Sequence, residues 1–382
     1  MAKKKGGSGI TVMTESEINK KYAGLSTNAA DAEEEAGNML RIPTRCIWLN
    51  YQTGGGFVYG RVHEVFGYES SGKTLLAKEV GIATQKLGGV VIWGDAENAF
   101  DLAWAKKVGL DLTRMFIYNR NDIEGFSDWA RDMCVAQRSK LTNNEPITLV
   151  LDSIAALECI DNLNADSLDS KAQMGNRAKA IYRFYRERNN LFSKLGITVI
   201  MINQVRSKVG ASMFEAATTQ PGGEATRFYS SIRIAIVPSK MIKGHWNDAS
   251  GEWVDSRLKE NDVKVGKEVI VKIEKNKTAA TESDVRTEVY FKPDKSGYVG
   301  FSKYAGLDKI LLDTGILKKS GMSYVYRYKK ADHVLTKKRD GIIPCLQSDD
   351  NARRVILQKL GVLTISKAAE RLESIKTNLF PV

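Results

Sequence analysis

The sequence predicts an α/β fold in which a mainly parallel, twisted sheet is flanked by helices, with a mobile N-terminal arm before it and a small basic α+β domain after it. Three observations carry this. Short β-rich runs alternate with helical patterns between Thr44 and Lys292. Several of those runs are apolar without interruption, as strands covered on both faces must be. A glycine-bearing loop joins one run directly to a helix in which Leu76, Val80, Ala83 and Leu87 recur on one face, with Gly88 where a helix end favours glycine.

Taken in order, residues 1–43 form the arm, a candidate oligomerisation segment. Its MAKKKGGSG tip is lysine-rich and AADAEEEAG has almost no apolar period, so only one short helix, around Glu15–Tyr22, is expected. The core, 44–300, draws its strands from VHEVF at 62–66, VVIW at 90–93, ITLVL at 147–151, ITVIMI at 197–202, IRIAIV at 232–237 and EVIVKIE at 268–274. Residues 301–382 change to helical, Lys/Arg-rich segments with turn signals. No repeat of fixed period occurs.

With 43% hydrophobic and 27% charged residues among 382, and only 7 Pro, the composition excludes collagen-like, disordered and disulfide-scaffold classes. Four distant cysteines and three histidines offer no zinc spacing, and no apolar run approaches the roughly 18 residues of a membrane span, so a soluble, reducing, cytoplasmic setting is expected. The net charge of +12 favours a polyanionic partner. Its sources are local: residues 171–194 hold 7 Lys+Arg against 1 acid, and residues 318–382 hold 14 against 6.

GYESSGKT fits the phosphate-binding pattern GxxxxGK[ST], set between a strand and a helix. Gly67 and Gly72 let the backbone of Tyr68, Glu69, Ser70 and Ser71 curl around a phosphate, and Leu75 continues the helix whose N-terminus adds positive charge. Lys73 can reach the β- and γ-phosphates of ATP, and the Thr74 hydroxyl can ligate Mg2+. Asp152, closing the apolar strand ITLVLD, is the expected second metal-side group. Asp95 and Glu97 stand just past another strand end, and Glu97 is the candidate base for the attacking water.

In order and in content these motifs resemble the RecA recombinase family, in particular its phage-encoded, UvsX-like branch, from Thr44 to about Arg371. GYESSGKT looks like that family's nucleotide loop, DAENAFD like its DAEHALD, LVLDSIAAL like its metal-binding strand and INQVR like its FINQIR. The resemblance implies a RecA-like P-loop ATPase core, Glu97 as activator of water and Gln204 as sensor of the γ-phosphate. It places Trp104, where the family more often has Tyr, on the adenine ring, with Asp101 near the adenine amine. KIEKNKTAA resembles KVVKNKIAAP, which assigns Lys275 and Lys277 to the neighbouring subunit's nucleotide. Arg227 and Phe228 match interface positions.

Two segments resemble the family's DNA loops. Met174, Gly175, Arg177 and Lys179 belong to the first, where Lys179, Arg183 and Arg186 form a cationic stripe opposite an apolar face. The second spans Arg206 to Thr226: Lys208 can meet phosphate, Val209, Met213 and Phe214 can enter between bases, and Gly222 and Gly223 form a hinge. The terminal region resembles a duplex-gathering domain, with Lys337, Lys338, Arg339, Arg353 and Arg354 as contacts, and the ending ESIKTNLFPV gives no basis for inhibition by an acidic tail. Residues 239–268 form an excursion with a turn at Ser250–Gly251 and no assigned function.

The expectation is an ATP- and Mg2+-dependent DNA recombinase, a DNA-dependent ATPase that self-associates into a helical filament on single-stranded DNA and exchanges strands with a homologous duplex. A mediator and a single-strand-binding protein are candidate partners, no membrane is involved, and the setting is the nucleoid of a bacterial or phage-infected cell. A RecA-core hexameric helicase and an ATP-gated DNA-binding scaffold are the alternatives. The KNK motif, the long second loop and the terminal domain favour recombinase.

Overall fold

Every β-rich run named above becomes a strand of one ten-stranded sheet. The structure, a computed structural model, describes residues 20, 39–163, 170–207, 218–219, 224–247, 251–253, 262–280, 284–294, 297–375 and 377–380. The chain divides into two units, Met1–Leu40 and Arg41–Val382. The helix expected at Glu15–Tyr22 lies outside the described residues except for Lys20, which is helical.

The second unit begins with β1 (Arg41–Ile42), α1 (Ile47–Gln52), β2 (Phe57–Val58), β3 (Val62–Gly67), α2 (Lys73–Lys86), β4 (Val90–Asp95), α3 (Leu102–Val108), β5 (Met115–Tyr118) and α4 (Ile123–Arg138). It continues with β6 (Ile147–Asp152), α5 (Ile160–Leu163), α6 (Ser170–Lys194), β7 (Ile197–Gln204), β8 (Arg206–Ser207), β9 (Thr218–Thr219) and α7 (Glu224–Tyr229). β10 (Ile232–Asn247), β11 (Glu252–Trp253), β12 (Asp262–Asn276), β13 (Val285–Tyr290) and β14 (Gly300–Phe301) complete the sheet.

Its order is β14-β13-β12-β10-β3-β7-β6-β4-β5, with β11 on β10. From β10 to β5 all neighbours are parallel, whereas β10, β12, β13 and β14 pair antiparallel. The sheet is therefore mixed as well as mainly parallel. The reason lies in residues 239–268: β10 and β12 pair as two long antiparallel arms, and among the described residues between them no helix carries the chain across the sheet.

β3, β4 and β6 are buried along their whole length, and β7 up to its last residue. Register aligns their carboxyl ends, Gly67 beside Gln204 and Asp95 beside Asp152. Beyond the sheet come α8 (Leu307–Asp313), an antiparallel sheet of β15 (Leu317–Ser320), β16 (Ser323–Tyr328) and β17 (Ala331–Thr336), then α9 (Ile342–Ser348), α10 (Asp350–Leu360) and α11 (Ile365–Ser374). The chain then returns to the core. Asn144 Nδ2 donates to Thr377 O at 2.9 Å, and Leu379 N donates to Asn144 Oδ1 at 2.7 Å. Phe380 stacks on Tyr59 and covers Gly196, where a Cβ would stand 2.8 Å from its ring.

His63, wholly buried in β3, meets Val58 O through Nε2 at 3.1 Å and touches Phe57 edge to face. Burial lowers its pKa to about 4. An unfolded imidazole titrates near ~6.5, so His63 contributes stability that is complete above that pH and is lost as pH falls through 4, about 3 kcal/mol over the window. Urea denaturation at stepped pH should show a smaller acid-induced loss, by about that amount, in His63→Gln; identical pH profiles would contradict this.

Candidate functional site

Four buried strands end in one row, and the polar residues that their interiors cannot hold collect there. Gly67 to Thr74 leave β3 and enter α2. Gly72, at φ +107°, has a backbone that L side chains rarely adopt. Tyr68, Glu69 and Ser70 form the exposed rim, and Leu75 is buried beneath it. Ser71 Oγ is buried with no hydrogen-bond partner, and Lys73 Nζ donates to Tyr68 O at 2.7 Å. A phosphate fits this loop because it offers acceptors to both groups. Burial lowers the Lys73 pKa, against the attraction of Asp152, Glu97 and Glu69.

Thr74 Oγ1 donates to Asp152 Oδ2 at 2.7 Å. Burial pushes the Asp152 carboxyl up to about 6; Thr74 opposes this, and Glu97 and Asp95 add to it. Among the described residues no group of three or more His, Cys, Asp or Glu could hold a metal unaided. A hydroxyl beside a carboxylate fits Mg2+ that takes its remaining ligands from phosphate and water. Glu97 is exposed, and its Oε1 accepts from Ser153 Oγ and, at 3.0 Å, from Gln204 Nε2. Asp95 differs: its oxygens accept from Ala99 N and Phe100 N at 3.1 and 2.9 Å, so it shapes the turn that presents Glu97.

Next to the loop is a cavity of about 470 Å³ whose walls include Asp101, Trp104, Lys267, Val289 and Phe291. Asp101 Oδ1 caps α3 by accepting from Trp104 N at 2.8 Å. A larger cavity, about 930 Å³, lies between β12, β13, α8 and α9, away from all of these groups except the strands themselves. Its Arg286 and Arg339 are paired with Glu268 and Asp308.

Lys275 and Lys277 stand on the opposite edge of the sheet. Lys275 Nζ donates to Arg227 O at 2.7 Å and to Phe228 O at 3.3 Å, and the Phe228 side chain is 70% exposed. Lys277 is exposed and its N–H donates to Ser231 O, while Ser231 N donates to Val62 O. These contacts gather Arg227, Phe228, Lys275 and Lys277 at the amino end of β3, five residues or about 16 Å from Gly67. A buried polar chain joins the two edges. Gln204 N donates to Asn203 Oδ1 and Asn203 Nδ2 to Glu64 Oε1, both at 3.0 Å. Arg233 then donates to Glu64 Oε2 at 2.5 Å and to Glu274 Oε2 at 3.2 Å.

On α6, Ile181, Phe184 and Tyr185 are buried, while Lys179, Arg183 and Arg186 are exposed, and Tyr182 is exposed among them. Arg183 is tied to Glu187 at 2.7 Å, so the stripe is not uniformly available to phosphate. Met174 and Gly175 fall on the same helix, and Arg177 Nη1 reaches Ala155 O at 3.5 Å. Arg206 begins β8; Lys208, Val209, Met213, Phe214, Gly222 and Gly223 lie outside the described residues. In the terminal region Lys337, Lys338 and Arg354 are exposed, while Arg353 is engaged with Asp350.

A family model described as the RecA N-terminal domain matches residues 11–294. The chain belongs to the RecA family. Protein RecA of Tropheryma whipplei is 33% identical over 322 residues, 84% of this chain and 63% of that protein. Protein RecA of Aquifex aeolicus is 32% identical over 290 residues, 76% of this chain and 75% of that protein; for Geobacter metallireducens the values are 32% over 312 residues, 81% and 83%. Over most of its length the chain is thus a RecA-like recombinase, in a family of DNA-dependent ATPases. Among its described residues no helix is long and apolar enough to cross a membrane.

Sequence reasoning missed Ser153, Asn203, Tyr182, Lys267 and Phe291. Ser153 and Asn203 adjoin residues already singled out and could have been found there; Lys267 and Phe291 carry no motif. Crowding by Asp95 and Glu97 suggests one test of the site's electrostatics. Without nucleotide, Asp152→Asn should melt roughly 2–6 °C above the wild type in calorimetry at neutral pH, because the buried charge is gone. An unchanged or lower melting temperature would exclude that account.

Proposed function

We propose that this RecA-family chain is an ATP- and Mg2+-dependent recombinase that polymerises on single-stranded DNA and exchanges strands with a homologous duplex. The observation that carries it is the separation of the phosphate loop from Lys275 and Lys277 by the length of β3, since they stand at opposite ends of the strands. Those lysines serve a nucleotide held by another copy, stacked head to tail, and repetition of such a contact generates a filament.

In this reading Lys73 and the loop amides hold the triphosphate, Trp104 stacks on the adenine and Asp101 accepts from its amine. Mg2+, held by Thr74 and Asp152, would neutralise charge on the phosphates. Glu97 accepts a proton from water and is oriented for it by Ser153 and Gln204. Lys275 and Lys277 of the adjacent copy stabilise charge developing on the γ-phosphate, with Arg227 and Phe228 packed at the same joint. Gln204 senses that phosphate, and the second DNA loop begins two residues later at Arg206. Lys179 and the first loop meet the DNA backbone, and Lys337 and Lys338 gather duplex.

The nearly level identities to RecA from three genera support a branch outside those sequences, and we assign it to the phage-encoded, UvsX-like group. Four free cysteines support a reducing cytoplasm, with a mediator and a single-strand-binding protein as partners.

Electron microscopy with single-stranded DNA and a non-hydrolysable ATP analogue should show helical filaments; closed rings or solitary particles would end the proposal. Glu97→Gln should keep nucleotide and DNA binding while losing about 100-fold or more of DNA-stimulated turnover. Mixed with a Lys275→Ala/Lys277→Ala protein, it should regain turnover above either variant alone. A mixture no faster than its components would contradict sharing between copies.

A further inference from the structure

Lys267 lies on β12 opposite Val289 of β13, and its side chain helps wall the nucleotide cavity. The proposed mechanism leaves it idle, since Lys73 meets phosphate while Trp104 and Asp101 meet the base. Its ammonium stands 5.3 Å from the centre of the Phe291 ring. Among the described residues it makes no ion pair. The adjoining Glu268 belongs to the other face of the strand, where Arg286 holds it. Burial depresses the Lys267 pKa, and its charge opposes that of Lys73. Contact with an aromatic face offsets only part of the desolvation of an ammonium. A second, uncompensated cation beside the phosphate loop is therefore suited to an occupant that brings acceptors.

We propose that Lys267 is a base-reading residue that donates to acceptor atoms on the purine edge of the bound nucleotide. The proposal rests on the ATP reading of the phosphate loop. Trp104 and Phe291 are the two aromatic rings of the cavity, and a base entering there displaces the ammonium from Phe291 to the base edge. An ammonium only donates and a carboxylate only accepts, so Lys267 and Asp101 together test for an acceptor and an amine on one ring system. Adenine supplies both, through its ring nitrogens and its exocyclic amine. Selection of the base is thereby shared between α3 and β12, elements more than 150 residues apart in sequence.

The test is isothermal titration calorimetry of the full chain with Mg2+ and either ATP or inorganic tripolyphosphate, which has phosphates but no base. Lys267→Met keeps the apolar stem and removes the charge; Lys267→Arg keeps the charge. Loss of one charge-assisted hydrogen bond should weaken ATP about ten-fold in Lys267→Met and leave tripolyphosphate within about two-fold of wild type. Lys267→Arg should stay within about three-fold of wild type for ATP. Equal losses for ATP and tripolyphosphate would put the ammonium on the phosphates and overturn the proposal, as would unchanged ATP binding in Lys267→Met. Wild-type protein that bound neither ligand would refute the phosphate-loop reading and this one together.

Discussion

Strands covered on both faces leave almost no place for a polar side chain, and the arrangement of the molecule follows from that restriction. Where β3, β4, β6 and β7 stop, it lifts, and there stand the phosphate loop, Asp95, Asp152 and Gln204. Within the sheet, Glu64 and Arg233 are tolerated because each satisfies the other, with Asn203 and Glu274 completing the set and Phe66 beneath the guanidinium. One partner without the other would be a buried unpaired charge, so the two constrain β3, β7, β10 and β12 jointly.

The nucleotide edge is kept at a cost in stability. Asp152 is crowded by two carboxylates, Ser71 Oγ is unpaired, and Lys73 and Lys267 are partly stripped of water near each other. None of these serves the resting fold well. All are relieved by an anionic occupant with hydrogen-bond acceptors and an accompanying cation, which is how binding free energy becomes preference for a particular bound state.

The parallel half of the sheet was legible because β-branched runs announce their own burial, and the phosphate loop because its spacing is tied to a strand and a helix on either side. The antiparallel half was harder to read. β14 is two residues long, and the β10–β12 hairpin has polar outer arms whose order comes from pairing rather than composition; in the parallel half, only the edge strand β5, half-buried along MFIY, was equally hidden. The cavity beside the phosphate loop illustrates the same limit: Trp104 could be anticipated from its neighbours, whereas Lys267 and Phe291 join it only because β12 and β13 pair beside α2. Charge counts along α6 showed its basic character but not that Arg183 would be claimed by Glu187.

The return of Thr377–Phe380 to Asn144, Tyr59 and Gly196 means that the terminal lobe is pinned at both ends, since β14 fixes its start in the central sheet. Between those ends Asn50 Nδ2 donates to Leu363 O at 3.2 Å, so the lobe is held to the core at a third place as well, and the shorter list of orientations lowers the entropy to be lost when it settles on a partner. Lys337 and Lys338, exposed on that lobe, are therefore kept at a nearly fixed place relative to the core instead of ranging over the length of a connecting chain.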